Sequence, residues 1–155
     1  MRLQLALNVR DIDEAVDYYG KLFDAAPHKR RAGYANFAID EPPLKLVLFE
    51  NPGAAERVNH LGVEVFEEAR VREAGHRLEA AGILSEVEEE TVCCHATQTK
   101  VWSDEPQGLR WEWYRVTDDT PDGEALIAPS ATAPMAAATA PSADACSDES
   151  GTCCA

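Results

Sequence analysis

The stretch Gln4-Leu5-Ala6-Leu7-Asn8-Val9 returns as His60-Leu61-Gly62-Val63-Glu64-Val65, at an offset of 56 residues (60 minus 4). A chain with such an echo is constrained to build one supersecondary unit twice. In both copies the second, fourth and sixth positions are aliphatic, while the first, third and fifth are polar or small. A period of two marks a strand with one face packed on a helix, which leaves the opposite face to line a cavity.

Each strand leads into a helix. The first opens at Asp11, with Glu14 three residues later in a capping-box-like arrangement, and turns Ala15, Val16, Tyr19, Leu22 and Phe23 inward. The second is expected over residues 68–81, with Val71, Ala74 and Leu78 on one side and Gly82 as its stop. Short β segments follow, at 34–39 and 44–50 in the first half, then at 85–89, near 100–103 and at 109–116. The unit reads βαβββ, twice, giving an α+β domain over residues 1–117 with modules at about 1–54 and 58–117. The turn Pro106-Gln107-Gly108 sets the last strand so that Arg110, Glu112 and Tyr114 share a face opposite Leu109, Trp111 and Trp113.

Residues 118–155 are rich in Ala, Pro, Ser and Thr and lack either periodicity, so they are expected to be a disordered tail. Net charge is −14, with acidic residues in excess in both parts. That excess repels nucleic acid, and its plain role is solubility. No stretch is long and apolar enough to cross a bilayer, and no basic segment with an apolar core opens the sequence, so the expected location is the cytoplasm. The five cysteines, Cys93, Cys94, Cys146, Cys153 and Cys154, are odd in number and read as reduced thiols available as ligands or nucleophiles.

Gln4 and His60 occupy equivalent positions of the two repeats on the polar or small face, and Glu112 lies on the last strand. An oxygen, a nitrogen and a carboxylate that converge leave coordination positions open, which suits a divalent first-row metal such as Fe(II), with room for substrate and dioxygen. Each residue has an ordinary reading as well. His60 is equally a buried histidine bonded to the backbone, Glu112 a strand-end ion-pair partner, and Gln4 an N-terminal polar residue. Tyr34, Asn36 and Phe37 are candidates for the pocket wall or for the core, and Tyr114 for orienting substrate or for packing.

With these features in hand, residues 1 to about 117 resemble the vicinal oxygen chelate superfamily of glyoxalases, extradiol dioxygenases and fosfomycin and bleomycin resistance proteins. The stretches Gly33-Tyr34-Ala35-Asn36-Phe37-Ala38-Ile39, Pro42-Pro43-Leu44-Lys45-Leu46-Val47-Leu48 and Asn59-His60-Leu61-Gly62-Val63-Glu64-Val65, together with Cys93-Cys94, look like the bacterial organoarsenical carbon–arsenic lyases, a group that also includes cadmium-induced proteins. The resemblance implies two βαβββ modules forming a cup-shaped mixed sheet around a metal. It implies Fe(II)- and dioxygen-dependent cleavage of the carbon–arsenic bond of methylarsenite and trivalent aromatic arsenicals, releasing arsenite. Four-ligand glyoxalases need a carboxylate in the first repeat's last strand, where this chain has Leu44-Lys45-Leu46-Val47-Leu48-Phe49 and only then Glu50.

Trivalent arsenic is soft, and methylarsenite has two exchangeable positions that the thiolates of Cys93 and Cys94 would fill. On a regular strand these side chains point to opposite faces, so joint binding requires a turn or irregular loop, where His95 stands ready to assist deprotonation. Cys146, Cys153 and Cys154 suggest capture of arsenicals or soft metals by the tail, or nothing beyond a dispensable tail. The contrasting functions are sequestration of cadmium or arsenite without turnover, and glutathione-linked chemistry of the glyoxalase or fosfomycin kind. The two halves can pair within one chain or be exchanged between two, so a homodimer is compatible with the pattern.

Overall fold

The structure, a computed structural model, describes residues 1–93 and 95–121. Its elements run β1 (Arg2–Val9), α1 (Ile12–Phe23), β2 (Lys29–Arg31), β3 (Tyr34–Ile39) and β4 (Leu44–Glu50). The second module follows as β5 (Val58–Glu64), α2 (Glu68–Ala80), β6 (Glu86–Cys93), β7 (Ala96–Asp104) and β8 (Arg110–Asp118). Eight strands form one sheet in the order β2-β3-β4-β1-β5-β8-β7-β6. β1 and β4 are parallel, β5 and β8 are parallel, and β1 meets β5 antiparallel at the centre. This is a curled mixed sheet made of two βαβββ units that join edge to edge.

The alternation seen in sequence sorts the two faces. Leu5, Leu7 and Val9 pack with Val16, Tyr19 and Phe23 of α1 and with Phe37, Leu46 and Leu48 of the neighbouring strands. Val63, Val65 and Trp113 pack with Val71, Ala74 and Leu78 of α2. Asp11 caps α1, its carboxylate accepting from the amides of Asp13 and Glu14 at 2.9 Å each, a contact that contributes about 1 kcal/mol. Leu22 departs from the expected inward face and is 55% exposed. Gly82 adopts φ 69° directly after the α2 cap.

Two boundaries differ from the sequence pattern in an instructive way. β6 runs on to Cys93 and β7 begins at Ala96, so the turn or irregular loop expected here is the tight turn of a hairpin. The β-branched residues Thr91, Val92 and Thr97 favour the extended chain and carry both strands to the turn. The Glu-rich start of β6 is weaker, and its pairing slips between Glu88 and Thr91, where Glu90 has φ 47°. Among the described residues, no helix is long and apolar enough to cross a membrane.

Candidate metal and thiol site

One row of residues crosses the seam between the modules. Gln4 on β1 lies opposite Gly62 on β5, and Gly62 lies opposite Glu112 on β8. His60, two residues before Gly62, shares its face. A Cβ on Gly62 would fall 2.9 Å from Glu112 Cγ and 3.3 Å from both Cβ and Nε2 of Gln4, so the missing side chain is the hollow in which three donors meet. Gly62→Ala is expected to overpack this row, lowering stability by about 1–3 kcal/mol and weakening divalent-metal binding. Urea denaturation and a Co(II) titration check it, and a variant unchanged in both would show that the row has room to spare.

The donor triangle is tight. Gln4 Nε2 is 3.0 Å from His60 Nε2 and 2.5 Å from Glu112 Oε1, and His60 Nε2 is 3.2 Å from Glu112 Oε1. Ligands at about 2.1 Å from a small divalent cation and at right angles to one another stand about 3 Å apart. The side chains present therefore fit such a cation. Among the described residues no three His, Cys, Asp or Glu side chains cluster for a metal, so a cation here would depend on the Gln4 amide for its third donor, through its oxygen once the amide is turned. The Tyr114 hydroxyl, now donating to Gln4 Oε1 at 2.5 Å, both donates and accepts and so supports either orientation.

Electrostatics keep Glu112 charged and Tyr114 neutral. Burial raises the pKa of Glu112, yet the hydrogen bond from His60 and the charge of Lys100 outweigh it, and the carboxylate is held below its ordinary range. Lys100 Nζ donates to Glu112 Oε2 at 3.0 Å, with each side chain 3% exposed or less, which leaves Oε1 facing the centre. Burial, followed by the charges of Glu64 and Glu112, pushes the Tyr114 phenol far up, so it stays protonated. His60 Nδ1 lies 2.7 Å from Asn59 Oδ1, and the Asn59 amide nitrogen is already engaged with Asn8 Oδ1 at 3.0 Å. That orientation leaves Asn59 Oδ1 able only to accept, so Nδ1 donates to it and Nε2 is turned toward the hollow, beside Gln4 and Glu112.

The same cavity is walled by Tyr34, Asn36, Val47, Phe49, Trp102 and Cys93. Cys93 is the last residue of β6, paired with Ala96 across a two-residue turn that ends in His95 at φ 62°. The structure thus brings Gln4, His60, Glu112, Tyr34 and Cys93 to one cavity, with Tyr114 beneath Gln4. Phe37 is a correction. It is fully buried in the α1 core, because the alternation along β3 that sends Tyr34 and Asn36 to the cavity sends Phe37 to the other face. Cys94, Cys146, Cys153 and Cys154 lie outside the described residues. Glu50 is exposed at its strand end, and the position related to Glu112 by the repeat is Val47, since Ala6 pairs with Val47 as Gly62 pairs with Glu112.

Lys100, Asn59 and Gly62 were not singled out by the sequence pattern. The available signal for Lys100 was parity, because it alternates with Gln98 and Trp102 on a strand, and a lysine on a buried face needs a carboxylate.

Residues 3–113 match the Glyoxalase/Bleomycin resistance protein/Dioxygenase superfamily, and the chain belongs to it. Within that superfamily it groups with two kinds of relatives. It is 52% identical over 138 residues to "Cadmium-induced protein CadI" of Mycobacterium tuberculosis, covering 81% of this chain and 91% of that one. It is 51% identical over 119 residues to "Trivalent organoarsenical cleaving enzyme" of Thermomonospora curvata, covering 76% and 79%. The fold is shared with the Mn(II)-bound glyoxalase from Novosphingobium aromaticivorans at TM-score 0.54 and 19% identity, over 74% of this chain and 37% of the other.

Proposed function

We propose that this chain is an enzyme that cleaves the carbon–arsenic bond of trivalent organoarsenicals, methylarsenite and trivalent aromatic arsenicals among them, with Fe(II) and dioxygen, and releases arsenite. The observation that carries this reading is a single cavity bounded by Gln4, His60 and Glu112 on one side and by Cys93 on another. Half-identity to a protein named for organoarsenical cleavage supports the choice of substrate.

The division of labour follows from the side chains. Cys93, with Cys94 beside it in sequence, binds arsenic by exchanging As–O for As–S bonds, each displaced hydroxide leaving as water with the thiol proton. Fe(II) held by Gln4, His60 and Glu112 would supply redox chemistry with dioxygen at the open coordination positions. Lys100 keeps Glu112 ionised, Asn59 holds the His60 ring with Nε2 toward the centre, and Tyr114 orients Gln4. Tyr34, Phe49 and Trp102 exclude water from the organic substituent. Bringing the carbon–arsenic bond and the oxidant into one cavity turns an encounter into an intramolecular step. Reduced thiols are required, which places the activity in a reducing compartment such as the cytoplasm.

Val47 in place of a fourth donor separates this site from four-ligand glyoxalase chemistry. The decisive experiment is single turnover. Anaerobic protein loaded with Fe(II) and methylarsenite is expected to release arsenite when air is admitted. Tight arsenical binding with no arsenite released would replace the enzyme with a sequestering protein.

A further inference from the structure

Asn36 takes no part in the chemistry just described, yet it is 2% exposed and lines the same cavity. The alternation along β3 sets it on the face that carries Tyr34, and its amide nitrogen donates to the Tyr34 hydroxyl at 2.8 Å. That bond leaves Oδ1 as an acceptor, and among the described residues this buried oxygen has no hydrogen-bond partner. Buried polar atoms in folded proteins are nearly always paired, so an exception asks for a reason.

The neighbours across the sheet do not supply the missing donor. Lys29 faces Asn36 in the β2–β3 register, and its side chain is 1% exposed. Its three protons are already committed, to the backbone carbonyl of His95 at 2.7 Å, to Asp119 Oδ1 at 2.7 Å, and to the backbone carbonyl of Asp119. On the other side Asn36 faces Val47, whose side chain has no donor to give. The row continues from Val47 through Ala6 to His60, three strand spacings of about 4.8 Å each, which sets the Asn36 oxygen apart from the donor triangle at the seam. We propose that Asn36 is a substrate-binding residue: its Oδ1 accepts a hydrogen bond from an O–H or N–H of the bound arsenical, carried either as a hydroxyl on arsenic or by the organic group. The proposal rests on the organoarsenical reading given above. A ligand without such a donor leaves the oxygen desolvated and unpaired, which is how a buried acceptor discriminates between substrates of equal size.

The test uses the full-length chain with Cys146, Cys153 and Cys154 replaced by serine, kept anaerobic so that binding is read without turnover. 4-Aminophenylarsine oxide and 4-methylphenylarsine oxide, which exchange an amino group for a methyl of similar size, are titrated against a competing dithiol. With the donor on the organic group, the parent protein is expected to hold the amino compound about tenfold more tightly. Asn36→Leu should then abolish that preference and leave the methyl compound within about twofold. With the donor on arsenic, the parent shows no preference, Asn36→Leu binds both compounds about tenfold more weakly, and Asn36→Asp, which keeps an oxygen acceptor at the same place, restores binding.

Unchanged binding of both compounds by Asn36→Leu would overturn the proposal. So would an equal weakening that Asn36→Asp does not restore, which marks general loosening of the cavity wall. Co(II) binding at the Gln4–His60–Glu112 centre is expected to be unaltered in each variant, and its loss would overturn the proposal by moving Asn36 into the metal centre. If Asn36→Leu fails to fold, Asn36→Ala removes the same acceptor without added bulk and carries the same expectations. A parent protein that binds neither arsenical would remove the organoarsenical reading itself, and the role of Asn36 with it.

Discussion

Glu112→Gln is expected to slow arsenite release by more than about 100-fold, beyond the 10–100-fold typical for residues that merely support a ligand, and to destabilise the fold by about 3–5 kcal/mol. Both effects come from one carboxylate. Oxygen Oε1 completes the proposed donor triangle, and Oε2 accepts from Lys100 inside the protein. Neutralising it leaves a desolvated ammonium without the charge that balances it. The two losses separate in the double variant Glu112→Gln/Lys100→Met, which is expected to regain most of the stability and none of the activity. Recovery of activity in that variant would remove Glu112 from the proposed centre.

The same carboxylate sets an acid limit. Its folded-state pKa is lowered, so its ionised form contributes stability above the ordinary glutamate range, and that contribution is lost as pH falls through the lowered folded value. Wild-type stability should therefore fall steeply only below the usual carboxylate range, and the Glu112→Gln protein should lack that component in urea melts taken across the acid region.

Cys93→Ser is expected to weaken binding of trivalent arsenicals by about 10²–10⁴-fold, the usual loss when two tethered attachments become one, and arsenite release should fall with it. Stability should change by no more than about 0.5 kcal/mol, because Cys93 sits half-buried at a turn and its backbone carbonyl, which accepts from Gln98 at 3.0 Å, is untouched. Serine preserves size but replaces a soft donor with a hard, poorly acidic one. Retention of full activity on methylarsenite would separate the thiols from the chemistry and return the site to a metalloenzyme of another specificity.

The repeat made most of the fold legible, because a period-two pattern that recurs after 56 residues names the strands, the helix-facing side and the equivalence of Gln4 and His60 together. Glu112 was legible through parity along β8. Phe37 was misread for want of the same parity on β3: Tyr34 and Phe37 are three residues apart and therefore cannot share a strand face. Lys29 escaped notice because β2 spans three residues, Lys29–Arg31, too few to show a period. Its partners, His95 and Asp119, lie 66 and 90 residues away, and no local pattern encodes contacts at such separations. Gly62 looked like one small residue among several, and only the cross-strand row between Gln4 and Glu112 gives its missing side chain a purpose.

Val47 occupies the position that the repeat relates to Glu112, and its effect reaches beyond the count of donors. The duplication left a site whose halves have stopped doing the same job. In the proposed site the second module supplies the imidazole, the carboxylate and Cys93, whereas the first supplies the Gln4 amide and, through Tyr34, Val47 and Phe49, much of the wall. Selectivity for the organic group can therefore drift by exchange of side chains on β3 and β4 while the reactive groups of β5, β6 and β8 stay unchanged. A library confined to those two strands should sort substrates by shape without disarming the chemistry.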